Sequence, residues 1–408
     1  MSRVITLLTD FGLDDGYVAA MKGIILTINP DVVIVDINLD VHKNSDEEKN
    51  LNGYEVHLTG FKKAIESIAN TCKPDVLVLV ETTVPPGTCQ KIVSPIFEEV
   101  FKKRNQEARY KIGHSYERVM PGPGYVDSIQ NFYRVYSGIN EESALATEKF
   151  LKTIIRTDEY PLTRLKSTNA TEMAKVLENS FRAMNIAFIE EWAEFAEEAG
   201  VNLFEVLEGI RMRPTHKNIM SPGLGVGGYC LPKDPLLASW AKQNLFESSK
   251  PLTQSEKAVQ INDRMPMHTF DVIQKHYNGD LRNKKIALIG ISYLNNVGDT
   301  RYAPAELLYD MLKKHGASIS ITDPYVNYWE ERKLDVHSTL EPVLNELPEV
   351  LVFCTKHNEF ISSAALKNFI FAQNNLLLVD ACGLMTNDWI EEIKHKQHSL
   401  RIIGRGDV

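Results

Sequence analysis

The chain has 408 residues, 43% hydrophobic and 24% charged, with a formal net charge of -9. That length suits two or three domains of roughly 150 residues each, and the average composition excludes the disordered class. The acidic excess argues against a nucleic-acid surface, no run approaches the ~20 apolar residues that span a bilayer, and no signal layout opens the chain, so a cytoplasmic protein without nucleic-acid or membrane partners is expected.

The opening RVITLLTD reads as a buried strand, DGYVAAMKGIILTIN as a helix ended by Asn29-Pro30, and VVIVDI as a second strand, together one βαβ unit. The polar stretch from Leu39 to Asn52 reads as a loop. An amphipathic helix at FKKAIESIANTC then leads into the strand DVLVLVETT, and a parallel sheet is the natural host. From about Thr168 the pattern turns to long helices, one from Ala170 to Ala199 and a second at VNLFEVLEGIR, with Gly200 as the stop between them. The segment NIMSPGLGVGGYCLPKDP is too rich in Gly and Pro for regular structure and reads as a shaped loop. After Pro266 another helix is expected, followed by KKIALIGISY, APAELLYDMLKKHG, ISITDPY, EVLVFCTK, NLLLVDACG and RIIGRG, the alternation of a second doubly wound domain. The expected fold is therefore α/β: two Rossmann-like parallel-sheet domains, 1–165 and 266–408, joined by a central helical region at 166–265 with one long helix.

Five cysteines, Cys72, Cys89, Cys230, Cys354 and Cys382, form no CxxC pair and suit reduced thiols. No metal-ligand spacing stands out. Cys230 lies among Gly223, Gly225, Gly227 and Gly228, with Lys233 and Asp234 beside it; a neighbouring ammonium favours the reactive thiolate. On these residues alone a buried cysteine in a glycine turn is an equal reading. Lys175 and Asn179, four apart on the long helix, can project from one face; alone, Lys175 reads as a solvated helical lysine.

Four ordered motifs, ETTVPPGT at 81–88, HSYERVMPG at 114–122, NATEMAKVLENS at 169–180 and GVGGYCLPKD at 225–234, with a weaker fifth, ISYLNNVGDTRYAPA at 291–305, carry a resemblance. Over residues from about 37 to 408 the chain resembles the UDP-glucose/GDP-mannose dehydrogenases. The resemblance implies an NAD-dependent nucleotide-sugar 6-dehydrogenase of polysaccharide precursor synthesis. Such an enzyme oxidises the sugar C6 alcohol of a UDP-sugar twice, through a cysteine thiohemiacetal and thioester, to the uronic acid. It implies Cys230 as nucleophile, Lys175 and Asn179 as oxyanion donors, Glu117 as general base with Thr83 handling water and proton, and Asp234 supporting water and cysteine. Thr83 and Glu117 also stand where the cofactor is contacted. Thr83 could equally be a turn residue and Asp234 a partner of Lys233.

The same resemblance places Gly225, Gly227, Gly228, Lys233 and Arg301 at the substrate, since a diphosphate needs cations, with Arg211, Arg213 and Lys217 as further candidates and a homodimer built on the long helix. Leu294 and Cys382 depart from the family's frequent lysine and arginine.

The opening does not fit this family. Its GxGYVG turn, which would bind the dinucleotide pyrophosphate at a helix N-terminus, is absent. The first 37 residues resemble instead the start of the S-adenosylmethionine hydrolase (hydroxide adenosyltransferase) family, with Asp10 at the ribose-binding position, and the N-terminal Rossmann unit is truncated or replaced. Asp36 mimics the ribose-binding acid of a dinucleotide site, but Asp14 and Asp15 would meet the pyrophosphate with like charge. The literal GxGxxG at Gly223, Gly225 and Gly228 is a decoy: no strand precedes it, and Pro232 and Pro235 stand where a helix should begin. Two other readings stay open: a nucleotide-sugar-binding or scaffold protein without NAD binding, and an S-adenosylmethionine-binding or hydrolysing protein.

Overall fold

The computed structural model describes residues 3–5, 32–34, 39–46, 49–118 and 125–408. Two compact units share the chain: residues 1–44, 51–181 and 233–256 form the first, and 45–50, 182–232 and 257–408 the second.

In the first unit, β1 (Arg3–Ile5) and β2 (Val32–Ile34) pair in parallel, as a βαβ opening requires; the expected helix between them lies outside the described residues. β1 lies beside β5 (Leu77–Val80), which begins a sheet ordered β5-β6-β7-β8, with β6 at Lys111–His114, β7 at Val135–Gly138 and β8 at Thr163–Arg164. β5 and β6 are parallel; β7 is antiparallel to β6 and parallel to β8. Alternation along β5 sends Val78 and Val80 to one face and Leu79 to the other. The first pair joins Phe61, Ile65 and Ile68 of α1 (Thr59–Thr71) and Phe97 and Phe101 of α2 (Ser94–Lys103), whereas Leu79 packs with Tyr136 and Leu151. α3 (Tyr125–Gln130) and α4 (Glu141–Leu151) follow, α4 capped by Asn140, whose side chain accepts from the Ser143 amide at 2.8 Å.

The stretch from Leu39 to Asn52, expected as a loop, instead contains β3 (Asp40–Ser45) and leads into β4 (Leu51–His57), which pair in a two-stranded sheet. Backbone pairing needs no apolar run: Val41 is buried and the polar side chains of β3 stay largely exposed, so composition concealed the strands.

The long helix is α5, Thr168–Ala199, followed by α6 (Leu203–Arg211), whose cap is Asn202. α7 (Asp234–Asn244) belongs to the first unit and holds Pro235 in its first turn, where a missing N–H costs nothing; Pro235 therefore does not bar a helix, as the sequence suggested. α8 runs unbroken from Thr253 to His276 through Pro266, so the helix expected after Pro266 starts 13 residues before it. An interior proline costs a helix about 3 kcal/mol, offset here by burial of Val259, Met265, Phe270 and Ile273 on the same helix.

The second unit holds a five-stranded, wholly parallel sheet ordered β10-β9-β13-β14-β15. β9 is Lys285–Ile289, β10 Ser318–Thr322, β13 Val350–Phe353, β14 Leu377–Asp380 and β15 Ser399–Ile402; β11 (Tyr328–Trp329) and β12 (Leu334–Asp335) make a separate ribbon. Ile286, Leu288, Val350 and Val352 join one core, which includes Leu307 and Leu308 of α9 (Pro304–Lys314), and Ala287, Ile289, Leu351 and Phe353 the other. Helical cover on both faces makes this a doubly wound domain with its switch point between β9 and β13. Just beyond those strand ends, the fully buried His357 Nε2 lies 3.2 Å from Asp323 Oδ2 and 3.0 Å from Ser292 Oγ, while its Nδ1 accepts from the Asn296 amide at 2.9 Å. That acceptor role leaves the proton on Nε2, so this Ser-His-Asp cluster is a buried brace for the loop after β9.

Candidate active site

Because β5 and β6 are parallel neighbours, the segments leaving their carboxyl ends run side by side, and these carry Thr83 and Glu117. The Ser115 amide donates to Val80 O at 3.1 Å and the Glu117 amide to Glu81 O at 3.4 Å. Thr83 Oγ1 and Ser115 Oγ are both buried with no hydrogen-bond partner among the described residues. Buried hydroxyls are seldom left so, and in a doubly wound sheet the crevice at these strand ends is where a dinucleotide binds.

α5 supplies the next two groups. Lys175 Nζ lies 3.7 Å from Glu117 Oε1, both side chains 13% exposed, and 5.7 Å from the Tyr116 ring centre. One turn on, the buried Asn179 donates through Nδ2 to Asp234 Oδ2 at 2.6 Å, and Lys233 Nζ donates to Asp234 Oδ1 at 2.7 Å. Asp234 is fully buried and Lys233 is 5% exposed. Thus Asp234 does pair with Lys233, and it also holds the Asn179 amide. Thr83, Glu117, Lys175, Asn179, Lys233 and Asp234 all belong to the first unit; Cys230 precedes Lys233 by three positions and belongs to the second.

Sequence reasoning missed several polar groups of this unit. Glu81 and Arg134 form a buried pair at 3.3 Å, and Arg134 also donates to Tyr116 O at 2.9 Å, bracing the segment that carries Glu117. Burial raises the Glu81 carboxyl, Arg134 draws it back and the Glu117 charge raises it again. His114 Nδ1 meets Thr171 Oγ1 at 2.8 Å; burial pushes its pKa down to about 3, too low for a general base near neutrality. Burial also raises the thiols of Cys72, Cys89, Cys354 and Cys382. None of the five cysteines forms a disulfide with another.

In the second unit the loop glycines answer to packing. A Cβ on Gly227 would come within 2.3 Å of Tyr293 Cβ, one on Gly228 within 2.8 Å of the Tyr293 ring, and one on Gly225 within 2.8 Å of Pro304 Cβ. The Gly228 amide donates to Arg301 O at 2.9 Å. Arg301 grips Asp299 with Nε and Nη2 at 2.9 and 2.5 Å, and Arg211 donates to Ile219 O and Ser221 Oγ. Arg213 and Lys217 are exposed. Leu294 is 37% exposed, and the Cys382 amide donates to Asp380 Oδ1.

Residues 43–156, 169–264 and 287–387 match, respectively, the NAD binding domain, the central domain and the UDP binding domain of the UDP-glucose/GDP-mannose dehydrogenase family. A UDP-N-acetyl-D-mannosamine dehydrogenase of Pyrococcus horikoshii is 32% identical over 365 residues, covering 88% of this chain and 79% of that one. The chain belongs to the UDP-glucose/GDP-mannose dehydrogenase family. A second UDP-N-acetyl-D-mannosamine dehydrogenase, from Methanocaldococcus jannaschii, is 31% identical over 345 residues, 84% of this chain and 74% of its own. In fold, the chain resembles a Pyrococcus horikoshii UDP-D-ManNAc dehydrogenase (TM-score 0.76, 24% identity, 99% of this chain and 100% of that one). It also resembles an NDP-N-acetyl-D-galactosaminuronic acid dehydrogenase of Methanosarcina mazei (TM-score 0.77, 21% identity, 99% and 96%).

As a family member the chain is an NAD-dependent oxidoreductase acting on the CH–OH of a nucleotide sugar. Residues 5–48 also match the SAM hydroxide adenosyltransferase N-terminal domain, so the family's NAD binding match begins only at residue 43. Asp10, Asp14, Asp15 and Asp36, the acids singled out in that opening, lie outside the described residues.

Proposed function

We propose that this chain oxidises the C6 alcohol of a UDP-N-acetylhexosamine to the carboxylate, with Cys230 as covalent nucleophile. The observation that carries the reading is the buried cluster of Lys175, Asn179, Lys233 and Asp234 beside Glu117, in the unit that also presents Thr83. NAD, when bound, accepts the hydride in each of two oxidations. In the first, C6 gives up a hydride and O6 a proton, which passes to the water that Thr83 and Glu117 handle, and the Lys175 ammonium and Asn179 amide steady the oxygen as charge develops on it. The Cys230 thiol then adds to the aldehyde carbon, and the hemithioacetal loses a second hydride, and its hydroxyl proton to the same water, to become a thioester. Water attacks that thioester, Glu117 takes its proton, and the thiol leaves with the carboxylate formed. Thr83 holds the water, and Asp234 fixes Asn179. Burial raises the thiols of Cys72, Cys89, Cys354 and Cys382, which disfavours those four as nucleophiles. Gly225, Gly227 and Gly228 shape the substrate loop, and Lys233, Arg301, Arg211 and Arg213 are the cations proposed to serve the diphosphate. Purified chain given NAD and UDP-N-acetylmannosamine should form two NADH per sugar oxidised; binding of the sugar nucleotide without any NADH would overturn the reading.

We place the protein in the cytoplasm, where cysteines without disulfides persist, and as a homodimer. Met173, Leu177, Phe181, Phe188, Trp192 and Phe195 are all 46% to 64% exposed at three-, four- and seven-residue steps along α5, the apolar stripe of a helix that packs on another. A second reading, a sugar-nucleotide binder without NAD, draws on the foreign match at residues 5–48; calorimetry showing micromolar NAD binding would remove it.

A further inference from the structure

The turn after β5 is held by a carboxylate that belongs to α5. Glu172 Oε2 accepts from the Gly87 amide at 2.6 Å and Oε1 from the Cys89 amide at 2.8 Å, and Glu172 is 1% exposed. Pro85 and Pro86 have no N–H to offer, Thr88 turns its hydroxyl back onto Pro85 O at 2.6 Å, and Gly87 sits at φ +97, where its missing Cβ clears the Phe246 ring. Cys89 begins a wide helical turn, Cys89–Val93, that runs into α2, and neither segment has a side-chain cap of its own. Glu172 therefore does the work of an N-cap from a distant part of the chain, with the anion where the helix dipole favours it.

A cap alone does not call for this residue. A local Ser, Thr or Asn would satisfy an amide without burying a charge, whereas burial raises this carboxyl to about 7 even with the Cys89 and Gly87 amides drawing it down. What Glu172 adds is its address. Positions 172, 175 and 179 fall at i, i+3 and i+7, one face of α5, so the carboxylate that grips the turn carrying Thr83 shares a rigid face with the two oxyanion donors.

We propose that Glu172 is a positioning residue, which sets the register of the Thr83–Cys89 turn against Lys175 and Asn179 so that cofactor and sugar meet both in one geometry. The proposal rests on the dehydrogenase reading. In the full chain, Glu172→Ala leaves two buried amides without an acceptor. Glu172→Gln turns an amine toward one of them, and Glu172→Asp keeps both acceptor oxygens on a shorter arm. Two measurements decide the matter: amide hydrogen exchange of the 83–93 segment without ligand, and NAD affinity by calorimetry alongside the KM-against-kcat split. In Ala and Gln variants, exchange in that segment should accelerate, and the Kd and KM for NAD should rise roughly tenfold to a hundredfold, the scale of an ångström-sized misplacement. UDP-sugar affinity should hold and Asp should recover part of the loss. Variants that exchange like wild type, or that lose only folded protein while the remainder keeps its Kd and KM, would overturn the proposal; should Ala fail to fold, Gln and Asp carry the comparison. Absent NAD binding in the wild type would sink the dehydrogenase reading instead, and the exchange data would still decide whether Glu172 anchors the turn.

Discussion

Asp234→Asn isolates the electrostatics of the site with almost no change in shape. Asp234 is fully buried, holding Lys233 Nζ at 2.7 Å on one oxygen and Asn179 Nδ2 at 2.6 Å on the other. An amide in its place can accept on one side only, and its amine must face either the ammonium or the Asn179 amine. Removing one partner of a buried ion pair costs about 3–5 kcal/mol, chiefly because the surviving charge is left desolvated and unpaired. For a unit of this size, each kcal/mol shifts the midpoint by about 2–4 °C, so thermal unfolding near neutral pH should move down by roughly 10 °C. The loss should shrink as pH rises: with the Asp234 charge removed, the buried ammonium gives up its proton more readily in the folded than in the unfolded state, so the folded state binds fewer protons and stability climbs with pH. Pairing Asp234→Asn with Lys233→Met removes the stranded charge and should return a good part of the loss. Calorimetric melts of the single and double variants across pH provide the assay. An Asp234→Asn protein that melts within about 1 °C of wild type at every pH would refute the claim that this pair is dry and mutually dependent.

Cys230→Ser should halt the reaction at the aldehyde level, yielding at most one NADH per sugar and no thioester trapped by mass spectrometry after a quench. Glu190, 5% exposed and with no hydrogen-bond partner for Oε2 among the described residues, is raised to about 8 by burial, with His268 lowering it and Glu194 and Glu197 raising it. Its folded pKa exceeds its unfolded one, so the stability it lends is full at acid pH and drains as pH rises through about 8. Glu190→Gln should therefore flatten the loss of stability between pH 5 and 9, a gain on the order of 3–5 kcal/mol at the alkaline end, read by denaturant titration at each pH. Trp192→Glu with Phe195→Glu should convert a dimer to monomer in light scattering at micromolar concentration, because two charges would have to be buried in the apolar stripe.

The parallel sheet of the second unit was legible because its strands are covered on both faces and so appear as short uninterrupted apolar runs, LVFC at 351–354 and LLLV at 376–379 among them. β3 and β4 were not, since their pairing rests on backbone bonds beneath exposed polar side chains. Pro266 misled for a related reason: local propensity marks a break, and the burial that overrides it is tertiary. In the site, the family resemblance singled out Lys175, Asn179, Glu117 and Asp234, which the structure gathers in one unit, whereas Glu172, within the same 169–180 motif, was not among them. Its partners are main-chain amides of a turn 83 and 85 residues away, and main-chain donors leave no mark in a sequence. The signal present was its place on the same helical face as Lys175 and Asn179. Gly227 and Gly228 show the converse, since glycines that the resemblance places at the substrate also make room for Tyr293.

The first unit separates two requirements that a dinucleotide domain normally meets with one stretch of chain. The opening must add strands to the sheet, and it must supply the turn that receives a pyrophosphate. Here the opening strands come with a foreign sequence: β1 ends at the first residue of the segment 5–48 matched to the SAM hydroxide adenosyltransferase N-terminal domain and β2 lies within it, the two pair in parallel, and β1 lies beside β5. The 26 residues between them are ample for the dozen or more that a parallel crossover needs. Strand pairing asks only for apolar residues of the right length, which unrelated sequences supply; the turn asks for glycines at fixed places and an uncharged approach, and the sequence between β1 and β2 has no GxGxxG and carries Asp14 and Asp15. On the proposed reading, affinity for NAD leans on the groups beyond β5 and β6, the buried Thr83 hydroxyl and the turn that Glu172 holds, which would make the cofactor site more dependent on its second half than that of a dinucleotide domain with its own glycine turn.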